Sequence, residues 1–201
     1  MVAANDNWLS GDAAAMNAVG AFPLTVGSAD AGIVTTLAAR GSTTPVSTPG
    51  NGTGITLIEC YDGAPNDTSV RLVNASARAY VGTGEDVLIP GFVITGEGTV
   101  RLLVRAVGPG LTAFGVPGAL ADPQLTLYKS SEVLATNDNW SSAANPGEIV
   151  SATAAAGGFA LVGGSKDAAL VVTLGAGAYT ALVSGVGNTT GTALVEIYVL
   201  P

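Results

Sequence analysis

The chain repeats itself. Residues 157–198 read GGFALVGGSKDAALVVTL…GTALVEIY, and residues 20–61 read GAFPLTVGSADAGIVTTL…GTGITLIECY. Phe22 matches Phe159, Asp30 matches Asp167, Leu37 matches Leu174 and Tyr61 matches Tyr198, every pair 137 positions apart. Upstream, Asn5-Asp6-Asn7-Trp8 recurs as Asn137-Asp138-Asn139-Trp140 at an offset of 132, so the difference of five falls in a loop between Trp and Phe. A weaker third copy opens at Gly91-Phe92-Val93-Ile94 and closes at Leu125-Thr126-Leu127-Tyr128; Phe92 lies 70 positions after Phe22 and 67 before Phe159. Self-similarity at a fixed period means a fold assembled from repeated supersecondary units. The sequence therefore reads as three related half-units. The second and third make one full unit, and the first is a second half standing alone. This predicts an N-terminal β domain over 1–64 and a C-terminal β domain over 65–201.

Each half-unit has the grammar of strands. The closing motif alternates apolar and polar residues before a tyrosine: Ile58-Glu59-Cys60-Tyr61, Leu125-Thr126-Leu127-Tyr128 and Val195-Glu196-Ile197-Tyr198. A period of two puts one face in a core and the other toward solvent. Further strands are predicted at 33–37, 87–89, 92–95, 100–107, 170–174 and 179–184. One short helix is predicted over 12–18. Residues 168–187 carry no charge, but their Gly and Thr content reads as two strands joined at Gly175-Ala176-Gly177 rather than as a bilayer helix. Many short strands separated by Gly, Pro and Asn predict an all-β protein of tandem β-sandwich or jelly-roll-like domains built from three half-repeats.

Composition removes most chemistry. There is no histidine and one cysteine, Cys60, which excludes an intrachain disulfide and most zinc sites, His-based triads and thiol–imidazole pairs. No motif supplies another nucleophile, so the chain is read as non-enzymatic, with no cofactor unless calcium binds. The net charge of −8 with only 7 Lys and Arg argues against nucleic acid and against an anionic membrane surface. Charged residues are 11% of the chain, so its surface consists of Gly, Ala, Ser, Thr and Asn, which tolerates close lateral packing. The first residues show neither a basic nor an apolar leader region.

Several residues are site candidates. The two Asn-Asp-Asn-Trp motifs offer clustered oxygens, from Asn5, Asp6 and Asn7 and from Asn137, Asp138 and Asn139, that could hold Ca²⁺. The competing reading is an Asx-turn ending a strand, with the Trp capping the core. Asp30 and Asp167 read as structural caps before matching strands. The glycine-rich runs, including Gly82-Thr83-Gly84 and Gly108-Pro109-Gly110, read as turns, since none completes a nucleotide-binding fingerprint. Arg101 and Arg105 share a strand face, with solvated ion pairs expected there. Cys60 takes the slot of Ile197 and reads as a small buried apolar residue. Sequons occur at Asn51, Asn66, Asn74, Asn139 and Asn188. The run 42–49, with Thr43, Thr44, Ser47 and Thr48, has an O-glycosylation-like composition, so an attached or bound glycan is a candidate partner.

The wording of residues 70–128, VRLVNASARAYVGTGEDVLIPGFVITGEGTVRLLVRAVGPGLTAFGVPGALADPQLTLY, together with Asn137-Asp138-Asn139-Trp140 and the closing strand 193–198, resembles a repeat module of large secreted proteins of Verrucomicrobia–Planctomycetes-type bacteria. The second half is also similar to the pre-peptidase C-terminal β-sandwich, through Asp122-Pro123-Gln124-Leu125-Thr126-Leu127-Tyr128 and Gly177-Ala178-Tyr179-Thr180. These resemblances imply an extracellular or cell-surface placement and a β-sandwich accessory domain, without an activity. In the full unit a strand precedes the Asn-Asp-Asn-Trp motif, whereas only Val2-Ala3-Ala4 precedes it in the first copy. An unpaired sheet edge recruits other strands. The expectation is a structural protein that associates with itself head to tail, as a filament or surface fibre. The alternative is an accessory carbohydrate- or calcium-binding module.

Overall fold

The computed structural model describes residues 1–50, 52–67 and 69–201. The chain divides into two units, Met1–Leu72 and Val73–Pro201.

The second unit is all-β with one covering helix. Its strands are β1 (Asn74–Val81), β2 (Gly91–Val107), β3 (Pro123–Lys129), β4 (Glu132–Asn137), β5 (Ala168–Gly185) and β6 (Gly191–Val199). They form one antiparallel sheet in the order β1-β6-β2-β5-β3-β4. Two expected breaks are absent. Residues 92–95 and 100–107 belong to one strand, β2, and 168–185 is one strand rather than a hairpin. Glycine explains both. Pairing between β2 and β5 runs to Ile94↔Gly177 and resumes at Thr99↔Gly175, so residues 95–98 face Ala176 alone. Gly96 and Gly98 lie at φ +95° and +98°, a region that L side chains avoid, and the chain bends there without leaving the sheet. The expected strand at 87–89 reduces to a single bridge, Leu88↔Val183.

The bend lets the sheet close over itself as two layers. Leu125 and Leu127 of β3 and Ala193 and Val195 of β6 never pair, yet they meet in one core with Leu102, Val104 and Ala106 of β2 and Ala181 and Val183 of β5. Even-numbered residues of β2 enter this core because side chains alternate along a strand. Each fully buried Leu or Val contributes about 1.5–3 kcal/mol of transfer free energy. The odd-numbered face carries Leu103 and Arg105. It is covered by α2 (Pro146–Ala155) and Trp140, with Ile149, Ala152, Ala169 and Leu200 making a second core. Helix α2 was not expected, but its start is written in the sequence. The Asn145 side chain accepts from the Glu148 backbone N–H, Pro146 opens the first turn, and Glu148 sits at the positive helix end.

The first unit contains a helix, α1 (Ala13–Ala18), close to where one was expected. The strands expected at 33–37 and 58–61 are irregular chain. Their apolar side chains meet no core: Ile33 is 43% exposed, Val34 56%, Leu37 47% and Ile58 56%. The equivalent stretches of the second unit are strands because β1, β2 and β3 flank them. Within 1–201 there is one copy of that flanking half. Among the described residues no helix is long and apolar enough to cross a membrane.

Candidate functional site

The repeated residues build the same brace in both units. In the second unit the Trp140 backbone N–H donates to Asp167 O at 2.8 Å, and the indole Nε1–H donates to Val162 O at 3.2 Å. Asn137 Oδ1 accepts from Ala169 N–H at 2.9 Å, and its Nδ2 donates to Asn139 O at 3.2 Å. In the first unit Trp8 N–H donates to Asp30 O at 2.7 Å, and its indole donates to Thr25 O at 3.0 Å. Asn5 Oδ1 accepts from Gly32 N–H at 3.0 Å, and its Nδ2 donates to Asn7 O at 2.8 Å. Ser165 Oγ donates to Asp167 Oδ2 as Ser28 Oγ donates to Asp30 Oδ2. Partner for partner, the offsets are the 132 and 137 read from the sequence.

This geometry gives the Asn-Asp-Asn-Trp motif a mechanical task. The first Asn clips the chain at the second residue after the cap Asp, and the Trp pins the intervening loop. Among the calcium candidates, the Oδ1 atoms of Asn5 and Asn137 are engaged by backbone N–H groups. Asp6 Oδ1 accepts from Asn7 Nδ2 at 3.1 Å, and Asp138 and Asn139 are half-buried beside Trp140. Each motif brings one carboxylate. Among the described residues no three His, Cys, Asp or Glu side chains gather as a metal site.

The second unit adds a charged cradle to the brace. Arg105 of β2 is fully buried, so the expected solvated pair at this position is corrected: α2 and the loop after it roof this face. Its Nε donates to Glu196 Oε2 of β6 at 2.9 Å, and Nη2 reaches the same oxygen. Nη1 donates to Phe159 O at 2.6 Å, and the guanidinium lies 4.5 Å from the Phe159 ring centre. Tyr198 Oη donates to Glu196 Oε1 at 2.6 Å. Burial, then this hydrogen bond and then the Glu196 charge push the Tyr198 hydroxyl up to about 12, while Arg105 pulls the other way. Three residues on, the Gly108 and Gly110 N–H groups donate to Asp167 Oδ1 at 2.9 and 3.1 Å. Gly108 is required for this approach, since a Cβ there would sit 2.1 Å from Leu120 O. One short run, Arg105 to Gly110, thus meets three acceptors of the second half. Arg101, four residues earlier on the same face, is exposed and pairs with Glu148 at 2.6 Å.

The first unit holds the acceptors of that cradle. Glu59, Tyr61, Phe22 and Asp30 stand 137 positions from Glu196, Tyr198, Phe159 and Asp167. Tyr61 Oη donates to Glu59 Oε1 at 3.0 Å, the same internal bond as in the second unit. Slight burial and then Glu59 raise the Tyr61 hydroxyl above its ordinary value. Glu59 and Asp30 are exposed here, and among the described residues neither pairs with an arginine. Cys60 is also exposed, which corrects the expected burial: it lies on irregular chain, whereas Ile197 lies in β6 opposite Val104.

The other candidates lie apart from the brace. Thr43, Thr44, Ser47 and Thr48 are exposed on irregular chain, with Thr48 Oγ1 donating to Gly52 O at 2.9 Å. The sequon at Asn51 falls outside the described residues. Gly82-Thr83-Gly84 borders a pocket of about 430 Å³ with Gln124, Ser184 and Asn188, and no ionisable side chain is among its lining residues.

No protein-family model matches the chain, and no curated protein matches it. Among solved structures, the pre-peptidase C-terminal domain of a collagenase from Bacillus anthracis is similar to it at TM-score 0.37 and 10% identity, over 62% of this chain and 89% of that one.

Proposed function

We propose that this chain is a structural, self-assembling subunit outside the cell, whose copies join head to tail through β-strand and sheet-edge contacts. One observation carries the reading. The two second halves share their brace bond for bond, yet one buries its apolar strands and the other exposes Ile33, Leu37, Ile55, Leu57 and Ile58 to water. Large apolar side chains exposed in such number favour an interaction site. The second unit offers β1 and β4 as the two edges of its sheet, and an edge strand presents unpaired backbone donors and acceptors to a neighbour. A contact between different surfaces of identical copies grows as a filament when its rotation does not close a ring. The resemblance to modules of large secreted repeat proteins supports the extracellular placement. Light scattering and negative-stain electron microscopy of the purified chain should show concentration-dependent, elongated particles. A monodisperse monomer across the accessible concentration range would refute the reading.

A further inference from the structure

Strands β3 and β5 carry a polar pocket on the face turned away from the core. Gln124 and Ser184 stand opposite each other on these strands, while their neighbours Leu125 and Val183 enter the core. Alternation along a strand therefore places Gln124 and Ser184 on the other face, with Leu182 beside them. Two turns wall this face, one over residues 82–87 after β1 and one over residues 185–188 between β5 and β6. Backbone bonds close both turns. Gly82 N–H donates to Asp86 O at 2.6 Å, Asp86 N–H to Thr83 O at 3.2 Å, and Thr189 N–H to Val186 O at 3.3 Å. Glycine is needed in each, since a Cβ on Gly82 would lie 2.9 Å from Asp86 O and one on Gly185 would collide with Thr189 O. The cavity of about 430 Å³ that they border falls within the range of small-molecule sites, roughly 300–1,000 Å³.

We propose that this pocket binds an uncharged saccharide. Its polar groups are the hydroxyls of Thr83 and Ser184 and the amides of Gln124 and Asn188. Among the described residues, none of these four side chains makes a hydrogen bond within the protein. Hydroxyls and amides both donate and accept, which matches the needs of sugar hydroxyls. Val87 and Leu182 supply an apolar strip for the C–H face of a sugar ring. No ionisable side chain lines the pocket, so a phosphate, carboxylate or ammonium group would lose its water without gaining a counter-charge. An extended peptide fits less well, because β3 and β5 are inner strands and present no edge for strand addition. None of the lining residues belongs to the edge strands β1 and β4, so sugar binding and assembly stand or fall separately.

Asn188 permits a clean test. It sits at φ +59°, a left-handed conformation that glycine adopts without steric cost, so N188G removes the amide and keeps the turn. The probes are maltose, cellobiose, lactose and N,N′-diacetylchitobiose, titrated calorimetrically into the full chain, with galacturonic acid and glucosamine as charged comparisons. At least one neutral disaccharide should bind, and the charged sugars should bind more weakly. N188G and Q124L should each weaken that binding about tenfold at an unchanged melting temperature, the loss expected for one hydrogen bond to a ligand. Should one variant melt early, the other decides. Absence of binding by all four disaccharides overturns the proposal, as does equal binding of the charged sugars, or binding that both variants leave intact.

Discussion

Arg105 and Glu196 face each other directly across the β2–β6 ladder, and their contact is a buried charge pair joining the first half of the unit to the second. Removing one partner leaves the other charged and desolvated. Arg105→Ala or Glu196→Ala should therefore cost about 3–5 kcal/mol, measured by urea denaturation of the full chain. The double change R105M with E196L should recover most of that loss, because an apolar pair of similar volume replaces the ion pair without an orphaned charge. A single substitution costing under about 1 kcal/mol would show that the pair is hydrated in solution.

The brace predicts a hierarchy at Asn137. Asn137→Ala leaves the Ala169 N–H without its acceptor and should destabilise the second unit by about 1–3 kcal/mol. Asn137→Asp keeps an oxygen in place and should cost less. If the motif is mechanical, adding calcium or a chelator leaves the melting temperature unchanged in calorimetry. A rise with calcium would assign the Asn-Asp-Asn oxygens to the ion.

The Tyr198 hydroxyl, held at about 12 against an ordinary 10.0, ties stability to alkaline pH. The folded state holds this proton more tightly than the unfolded chain does. Its stabilising contribution is complete below about pH 10 and is lost as pH rises toward 12. Spectrophotometric titration should show one tyrosine ionising late, and Tyr198→Phe should remove that late step. Coincident titration of every tyrosine near pH 10 would contradict the placement.

Exposure should also be read by protease. Arg40 and Arg71 lie exposed on irregular chain, whereas Arg105 is buried in a ladder. Brief trypsin treatment should cut after these two first and leave a resistant fragment beginning at Leu72. Initial cleavage after Arg105 instead would mean that the sheet of the second unit opens more readily than the first unit.

The repeat, the all-β class and the closing strands of the second unit, 125–128 and 195–198, were legible because they are written in identity and in a period of two. The brace was legible as pairs of matching residues but not in its bonding, since the Oδ1 atoms of Asn5 and Asn137 accept from Gly32 and Ala169 far along the chain rather than from a local turn. The burial of Arg105 was not, because its roof is a helix whose Ala-rich stretch resembles loop. The cap signature Asn145-Pro146-Gly147-Glu148 was the available signal. Continuity of β2 and β5 was hidden because glycines that bend a strand and glycines that end one look alike. The exposure of Cys60 and of 33–37 follows from which neighbours a strand has, which no local pattern encodes.

Strand β6 comes last in the sequence of the second unit, yet it lies between β1 and β2. No nascent form of this unit can complete its sheet until residue 199 has left the ribosome. Until then β1 and β2 lack the strand that pairs with both, and closure joins β6 to a β1 more than a hundred residues away, a slow kind of pairing. That order of events leaves the place of β6 open until the end of the unit's synthesis. It also lengthens the interval in which the wrong strand can slip into the gap.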